Sequence, residues 1–519
     1  MAGRTAAIIN DMKRLIPLLV AAACAGCAVN PVTGDRDFIT MSPSDDLKIG
    51  AENYQPMVQA QGGAWDIDPA LSEYVNTVGQ KLAAVSDVAL PYEFTVLNSS
   101  VPNAWALPGG KIAINRGLLT EMNSEAELAA VLGHEIVHAA ARHSAQQMSR
   151  GQLLQGLVVA TSVVASDASY ADLAVGGAGV AAQLISTKYG RSAELESDKY
   201  GMRYMKAAGY DPQGAVTLQE TFVRLSEGRN QDWLEGLFAS HPPSQERVRE
   251  NRKRANKMGP GGFLGVAEYQ AAIQQARDAA PAYDVYDEGR KALADDNVDE
   301  ALAKANEALR LFPAEANFHA LRGDVRLVNE QFDMAITNYD RAIDRRNSFF
   351  YYYVQRGIAY RGLHDTRAAV TDLERSIDLL PTAPAHYNLG LIRKEQGRID
   401  EAVNHFNIVA NSSGEYGRAA NGQLARLQIE EQPEKFVSRQ CSAGTNNNVV
   451  VVVRNEAAVA ISGVRVQLDY SDNYGNTRRE MLNVGSRIEP GDVAHKDTGI
   501  RVYEGTRCDV QVIAARVAD

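Results

Sequence analysis

Residues 132–143 read LGHEIVHAAARH, and this stretch restricts the fold more than any other. Within it His134, Glu135 and His138 form an H-E-x-x-H. On a helix, positions i and i+4 share one face, so both imidazoles reach a single metal ion. Glu135 then stands beside the ion, placed to take a proton from a water there. Two histidines, one general base and one water make up the chemistry of zinc-dependent peptide hydrolysis. The surroundings suit a buried helix. Residues 127–141 are rich in Ala, Leu and Val and lack Pro, and Ser124 with Glu127 forms a candidate capping box. Five residues alone arise by chance in a long chain, so the reading needs a third ligand.

A third histidine in the pattern H-E-x-x-H-x-x-G-x-x-H would stand six residues after His138, where the chain has Ser144; His143 is off register. The alternative is a glutamate on a later helix. Residues 190–209 are helical in pattern and offer Glu194 and Glu196, about 200° apart on a helix, so only one can face the metal. Glu194 shares its face with Asp198 at i+4, beside a stripe of small residues: Ala193, Ser197 and Gly201. Small residues let two helices approach closely, as a shared metal requires. The reading takes Glu194 as ligand, Asp198 as the carboxylate that orients a ligand imidazole, and Glu196 as pointing away into solvent.

At 519 residues the chain is expected to hold about three or four domains. Its net charge of −11 argues against a nucleic-acid-binding surface. Lys13 and Arg14 precede an apolar core, residues 15–23, and then Cys24-Ala25-Gly26-Cys27, the pattern of a signal peptide. Ala-Gly-Cys resembles the bacterial lipoprotein signal, which makes Cys27 the lipidated residue, with Cys24 the weaker candidate. Met12 is a possible alternative start. Ala28, being other than Asp, implies sorting to the outer membrane. Cys441 and Cys508 remain as an even pair in an oxidising compartment and are expected to form a disulfide.

Residues 93–97 and 111–114 alternate like strands and Gly109-Gly110 marks a turn. A sheet edge here would hold an extended substrate by backbone pairing, or serve only as a hairpin. PNAWALPGG, LGHEIVHAAARH, AELESDKYG and SHPPSQER, in this order, resemble the HtpX-like zinc metallopeptidases, a gluzincin family. The AVNPVTG after Cys27 is similar to the periplasmic lipoprotein members of that family. The resemblance implies zinc, one per chain, on His134, His138 and Glu194, with Glu135 as base and Asp198 behind a ligand. It further implies that His241 occupies the fourth zinc position and holds the enzyme off, or acts as a transition-state donor. Arg247 is a second candidate donor to the oxyanion. Two apolar stretches, residues 153–165 and 173–185, read as helices covering the cleft, or touching a membrane surface; each is too short to span one.

Gly289, Gly323 and Gly357 are 34 residues apart; Ala301, Ala335 and Ala369 keep the period, Pro313 and Pro381 are two periods apart, and Gly390 and Ala402 continue it with one residue lost. This is the tetratricopeptide (TPR) signature, four helix pairs over residues 282–410 with a capping helix near 416–429. Such repeats stack into a solenoid with a concave binding face. Tyr351, Tyr352, Tyr353 and Tyr360 are candidates for a peptide-binding surface, ordinary helix packing being the simpler reading of each. His319, His364, His386 and His405 show no ligand spacing and read as structural or surface residues. From Cys441 the period becomes two, as in a small antiparallel β-sandwich whose first and last strands Cys441 and Cys508 would join.

The expected architecture is therefore a multidomain chain: leader 1–27, linker 28–64, α+β zincin-type metallopeptidase domain 65–258, linker 259–281, TPR solenoid 282–432 and β-sandwich 433–519. The expected function is a zinc endopeptidase of the bacterial periplasm, lipid-anchored at the outer membrane, that degrades misfolded or stalled envelope proteins delivered by the repeats. The repeats would also engage outer-membrane assembly machinery. The rival is an assembly chaperone or scaffold in which proteolysis is secondary.

Overall fold

A computed structural model describes residues 27–155, 170–173, 175, 189–228, 241–444, 447–501 and 507–518. Residues 1–26 of the leader, with Cys24, lie outside these residues, as do most of the two apolar stretches 153–165 and 173–185. Among the described residues no helix is long and apolar enough to cross a membrane. The chain forms two compact units, one ending at Leu363 and one beginning at His364.

In the first unit, β1 (Cys27–Val29) and β2 (Arg36–Phe38) make a short antiparallel pair. Helices Pro43–Ala60 and Pro69–Ala83 follow, then a three-stranded sheet of β3 (Glu93–Leu97), β4 (Ala104–Leu107) and β5 (Lys111–Asn115). Its order is β3-β5-β4, with β3 parallel and β4 antiparallel to β5. The Gly109-Gly110 turn thus joins β5 to β4, not to residues 93–97 as the sequence suggests. Both glycines have positive φ (81° and 88°), as a tight hairpin demands, and so short a turn can only pair its immediate neighbours. Ala104–Leu107 escapes a period-two reading because all four residues are buried.

The H-E-x-x-H helix spans Glu125–Ala140, and every one of its residues is buried. Ser124 caps it by accepting from Glu127 N, while Glu127 Oε2 accepts from Asn123 N (2.8 Å), one residue before the cap instead of on it. Glu125 faces the positive helix end and accepts from the hydroxyls of Tyr74 (2.5 Å) and Tyr210 (2.7 Å). A burial this complete needs cover on all sides. It comes from the sheet, from helices Pro69–Ala83, Arg191–Ala207 and Gln213–Gly228, and from Val266–Ala272, whose Tyr269 is fully buried.

The repeat helices of this unit are Gln274–Ala294, Val298–Leu311, Ala316–Val328, Phe332–Arg345 and Phe350–Gly362, and the first three share that core: Ala276, Ala282, Tyr283, Ala308 and Phe318 join one apolar cluster with Leu118 and Leu128. Polar contacts reinforce the junction. Trp65 Nε1 donates to Tyr283 (2.7 Å), and Arg346 donates to the carbonyls of Gly62 and Ala64 (3.0 Å each). The 34-residue glycine period has a direct cause. A Cβ at Gly323 would stand 2.7 Å from the Tyr339 ring of the next helix.

The second unit holds helices Thr366–Leu379, Ala383–Glu395, Ile399–Ala410 and Gly414–Gln428, then two antiparallel sheets. Gly390 sits against Phe406 as Gly323 does against Tyr339. The first sheet joins β6 (Val437–Ala443), β7 (Asn448–Asn455) and β11 (Val493–Arg501). The second joins β8 (Ile461–Ser471), β9 (Thr477–Asn483), β10 (Arg487–Ile488) and β12 (Cys508–Val517). Both contribute to one apolar cluster, with Val451 and Val453 from one side and Val466, Leu468 and Val510 from the other. A disulfide joins Cys441 on β6 to Cys508 on β12, closing a span of 67 residues. In the chain-entropy description a loop of this size contributes about 4 kcal/mol. Reduction is therefore expected to lower the urea midpoint for protease release of fragments from residues 437–518. An unchanged midpoint would show that the two sheets hold without it.

Candidate metal centre

The centre forms where the H-E-x-x-H helix crosses the helix Arg191–Ala207. The crossing is as tight as two backbones permit: a Cβ added at Gly201 would lie 3.0 Å from Gly133 C and from His134 N. Ser197 beside it is fully buried. This is the small-residue stripe of the sequence, and it brings Glu194 within reach of both histidines.

His134, His138, Glu194 and His241 each offer a donor atom, all lying within 4.8 Å of one another, and all four residues are buried. His134 Nε2 stands 3.0 Å from His138 Nε2 and 3.5 Å from Glu194 Oε2. His138 Nε2 lies 3.4 Å from Glu194 Oε1. His241 Nδ1 lies 2.9 Å from Glu194 Oε1 and 3.4 Å from His134 Nε2. Tetrahedral coordination at about 2.0–2.2 Å puts donors about 3.3–3.6 Å apart, close to these spacings.

Charge makes the same case. Glu135, Glu194 and Asp198 are buried carboxylates, and Arg247 is the buried cation in contact with two of them. With the histidines neutral, as metal ligation requires, two negative charges remain over, which a divalent cation neutralises. The tautomers agree. Asp198 Oδ1 stands 3.0 Å from His134 Nδ1, so that nitrogen donates and Nε2 is the one left to ligate a metal. Nε2 faces a second ring nitrogen, a contact that a shared cation satisfies.

Burial lowers the proton affinity of His134, but the Glu194 and Asp198 carboxylates outweigh it and hold its pKa at about 9 in the metal-free site. Burial, joined by the neighbouring His134 and His143, takes His138 well below the usual histidine range against the pull of Glu194. Burial also raises Glu194, but His241, His134 and Arg247 reverse it and hold its carboxyl well below the usual range. Glu135 goes the other way: burial lifts its carboxyl above the usual range against the pull of His241 and His134. Its Oε2 has no hydrogen-bond partner among the described residues, and its Oε1 lies 3.7 Å from His241 Nε2.

Around these groups lies a layer that sequence reasoning read incompletely. Arg247, on the helix Gln245–Met258, grips Asp198 through Nε (2.8 Å) and Nη2 (2.7 Å), and Glu194 through Nη1 (2.8 Å). Its fork is thus taken up by carboxylates, which removes the oxyanion-donor role considered for it. Glu196 does not point into free solvent. It accepts from Asn30 Nδ2 (3.0 Å) and lies 3.4 Å from His143 Nε2. His143 Nδ1 in turn stands 3.0 Å from His138 Nδ1. His143 lies outside the cluster of four donors and instead backs His138, and the NPVTG turn after β1 holds the glutamate beside it. The turn is itself closed by Asn30 Oδ1, which accepts from Val32 N and Thr33 N. Tyr189 packs its ring 4.0 Å from that of His138 and bonds Ser144 through its hydroxyl (2.9 Å).

Elsewhere, Tyr351, Tyr352 and Tyr353 are buried, with their hydroxyls on Asp324, Asn317 and the Asn347 carbonyl. The backbone of Cys27 opens β1. His386 and His405 meet through their Nδ1 atoms at 3.0 Å.

This constellation on this fold defines a peptidase class: residues 69–255 match the model of peptidase family M48, and the chain belongs to that family. Residues 286–348 and 354–421 match the tetratricopeptide repeat. Among its relatives is the metalloprotease YcaL of Escherichia coli (strain K12), 34% identical over 185 residues, which cover 34% of this chain and 69% of that one. The beta-barrel assembly-enhancing protease of the same strain is 28% identical over 307 residues, 57% of this chain and 61% of that protein. The mitochondrial metalloendopeptidase OMA1 of Schizosaccharomyces pombe is 30% identical over 227 residues, 42% and 64% of the two chains. The chain thus spans about three fifths of the length of the assembly-enhancing protease it matches.

Proposed function

We propose that the chain is a zinc endopeptidase that His241 holds in a closed state. The observation that carries this reading is the convergence of four buried donors, one of them His241, beside the unpartnered Oε2 of Glu135. His134, His138 and Glu194 would hold the zinc. Once bound, zinc polarises the scissile carbonyl and acidifies a water. The chain's own groups do the rest. Asp198 fixes the His134 tautomer, His143 orients His138, and Arg247 locks Glu194 and Asp198 together. Glu135, raised by burial, accepts the proton from water and returns it to the leaving amine. Substrate would lie extended along the outer edge of β4, whose Ala104 borders the cavity next to Glu135. His241, seated as the fourth donor, stands where water and carbonyl must enter, so it must leave before cleavage.

The wider role rests on sequence and on the relatives. Cys27 carries lipid after the leader is removed, and the chain works from the outer membrane into the periplasm. The TPR repeats recruit misfolded or stalled envelope proteins, or the machinery that assembles them, as the name of the assembly-enhancing relative suggests. Residues 65–258 act as the peptidase domain, 282–432 as the repeat domain and 433–519 as a β-sandwich tied by Cys441 and Cys508. A second reading, an assembly scaffold with secondary proteolysis, draws on the closed position of His241.

Casein cleavage by the zinc-loaded protein tests the proposal. Wild type is expected to cleave, a chelator to stop it, and His241→Ala to cleave at least about tenfold faster, because the competent fraction rises. Absence of cleavage in both proteins with one zinc bound would favour the scaffold. A dead His241→Ala beside an active wild type would make His241 a donor instead of a lock.

A further inference from the structure

The run FFYYY at residues 349–353 does more than pack helices. Phe349, Phe350 and Tyr351 form three walls around a ring from a distant part of the chain, that of Tyr170. The centroids lie 5.1, 5.9 and 4.9 Å away, with the rings edge-on at 86°, 89° and 62°. Each geometry is a favourable aromatic contact. Tyr170 also hydrogen-bonds the side chain of Tyr286 on the repeat helix Gln274–Ala294. It belongs to a four-residue 3-10 turn, Tyr170–Leu173, that stands between the H-E-x-x-H helix and the Glu194 helix in the chain.

The walls are held from behind, by groups other than Tyr170. Tyr351 donates to Asp324 (2.9 Å), which also accepts from Arg290 (2.7 Å) and Tyr339 (2.8 Å). The Arg346 guanidinium lies 4.4 Å from the Phe349 ring centroid. Phe350 N donates to Gln59 Oε1 (3.0 Å). The walls are therefore braced by contacts of their own, and what enters between them is one aromatic side chain on a short turn. A linear peptide motif presents itself in this way.

We propose that this pocket is a recognition site for a tyrosine-bearing segment of a polypeptide partner or substrate, and that Tyr170 fills it in cis. The inference rests on the reading of the repeats as recruiters of polypeptide. It gives that recruitment a named pocket and a built-in competitor. A tethered competitor acts at an effective concentration of order millimolar, so an incoming segment must displace it.

The test is a titration of a fluorescein-labelled peptide of residues 168–175 into the full chain, read by anisotropy. All proteins carry Glu135→Gln, so the probe is not cut and the result is independent of whether the chain is a peptidase. Tyr170→Ala is expected to bind the peptide at least about tenfold more tightly than its parent. The same peptide with Ala in place of Tyr is expected not to bind. Equal binding by both proteins, or none by a Tyr170→Ala protein that melts with its parent, would overturn the proposal. If Tyr170→Ala melts early, Tyr170→Leu decides, since it keeps apolar bulk on the turn but takes the aromatic ring out of the pocket. Tighter peptide binding than the parent supports the pocket, and unchanged binding rejects it.

Discussion

Glu135→Gln is expected to abolish casein cleavage and leave zinc in place. The amide keeps the shape of the carboxyl but cannot accept a proton, and the three protein ligands assigned to zinc are untouched. A positioned general base contributes about 10²–10⁴-fold, so kcat/KM should fall at least that far, about 3–5 kcal/mol of barrier. A second readout separates this from misfolding. Glu135 binds its proton more tightly folded than unfolded, because burial raises its pKa. Metal-free stability therefore falls as pH rises from the unfolded value through the folded one, so at neutral pH Glu135 is a net cost. Gln does not titrate. The metal-free variant should melt at or above wild type at pH 7 and should lose the part of the pH dependence due to Glu135. Metal analysis, melting with chelator and cleavage rates check the three parts. Wild-type cleavage by the variant would place the base elsewhere.

The site was legible where chemistry and helical geometry act together. The i, i+4 spacing of His134 and His138 fixes one face. The 100° step per residue separates Glu194 from Glu196. A stripe of Ala193, Ser197 and Gly201 has little reason to exist unless another backbone lies against it, and Gly133 does. Legibility failed where a residue's partner is distant in sequence and local pattern carries no trace of it. His143 was tested only as a metal ligand. Its contact with His138 depends on the turn after the H-E-x-x-H helix, where Arg142 has a positive φ of 60°. Asn30 lies 166 residues from the glutamate it holds. Strand β4 is buried on both faces and so shows no alternation, which hides the antiparallel partner of β5. Tyr351, Tyr352 and Tyr353 stand out in the sequence, but a one-dimensional pattern does not show that with Phe349 and Phe350 they receive Tyr170.

Arg247→Leu should produce the largest loss of stability at the centre, and zinc should offset part of it. The guanidinium is buried and makes three contacts of 2.7–2.8 Å with two buried carboxylates, both of which depend on it for their low pKa. Removing one partner of such a cluster leaves uncompensated charge in a medium that screens poorly, a cost of about 3–5 kcal/mol. For a unit of this size that corresponds to a fall in melting temperature of about 4–7 °C. The cost is electrostatic, so its size depends on what other positive charge is present. In the metal-free protein only protonation of neighbouring histidines or of the carboxylates themselves relieves it. In the zinc-loaded protein the ion supplies two positive charges at the same carboxylates. The deficit relative to wild type should therefore be clearly smaller with zinc than with chelator. Arg247→Lys should recover only part of the loss in either state, because a single ammonium cannot reach Asp198 and Glu194 in the geometry of the fork. Melting curves of the three proteins with zinc and with chelator measure all of this. An equal deficit in both conditions would mean that Arg247 acts through packing of its helix, and that the charge balance argued for the centre is not what holds it.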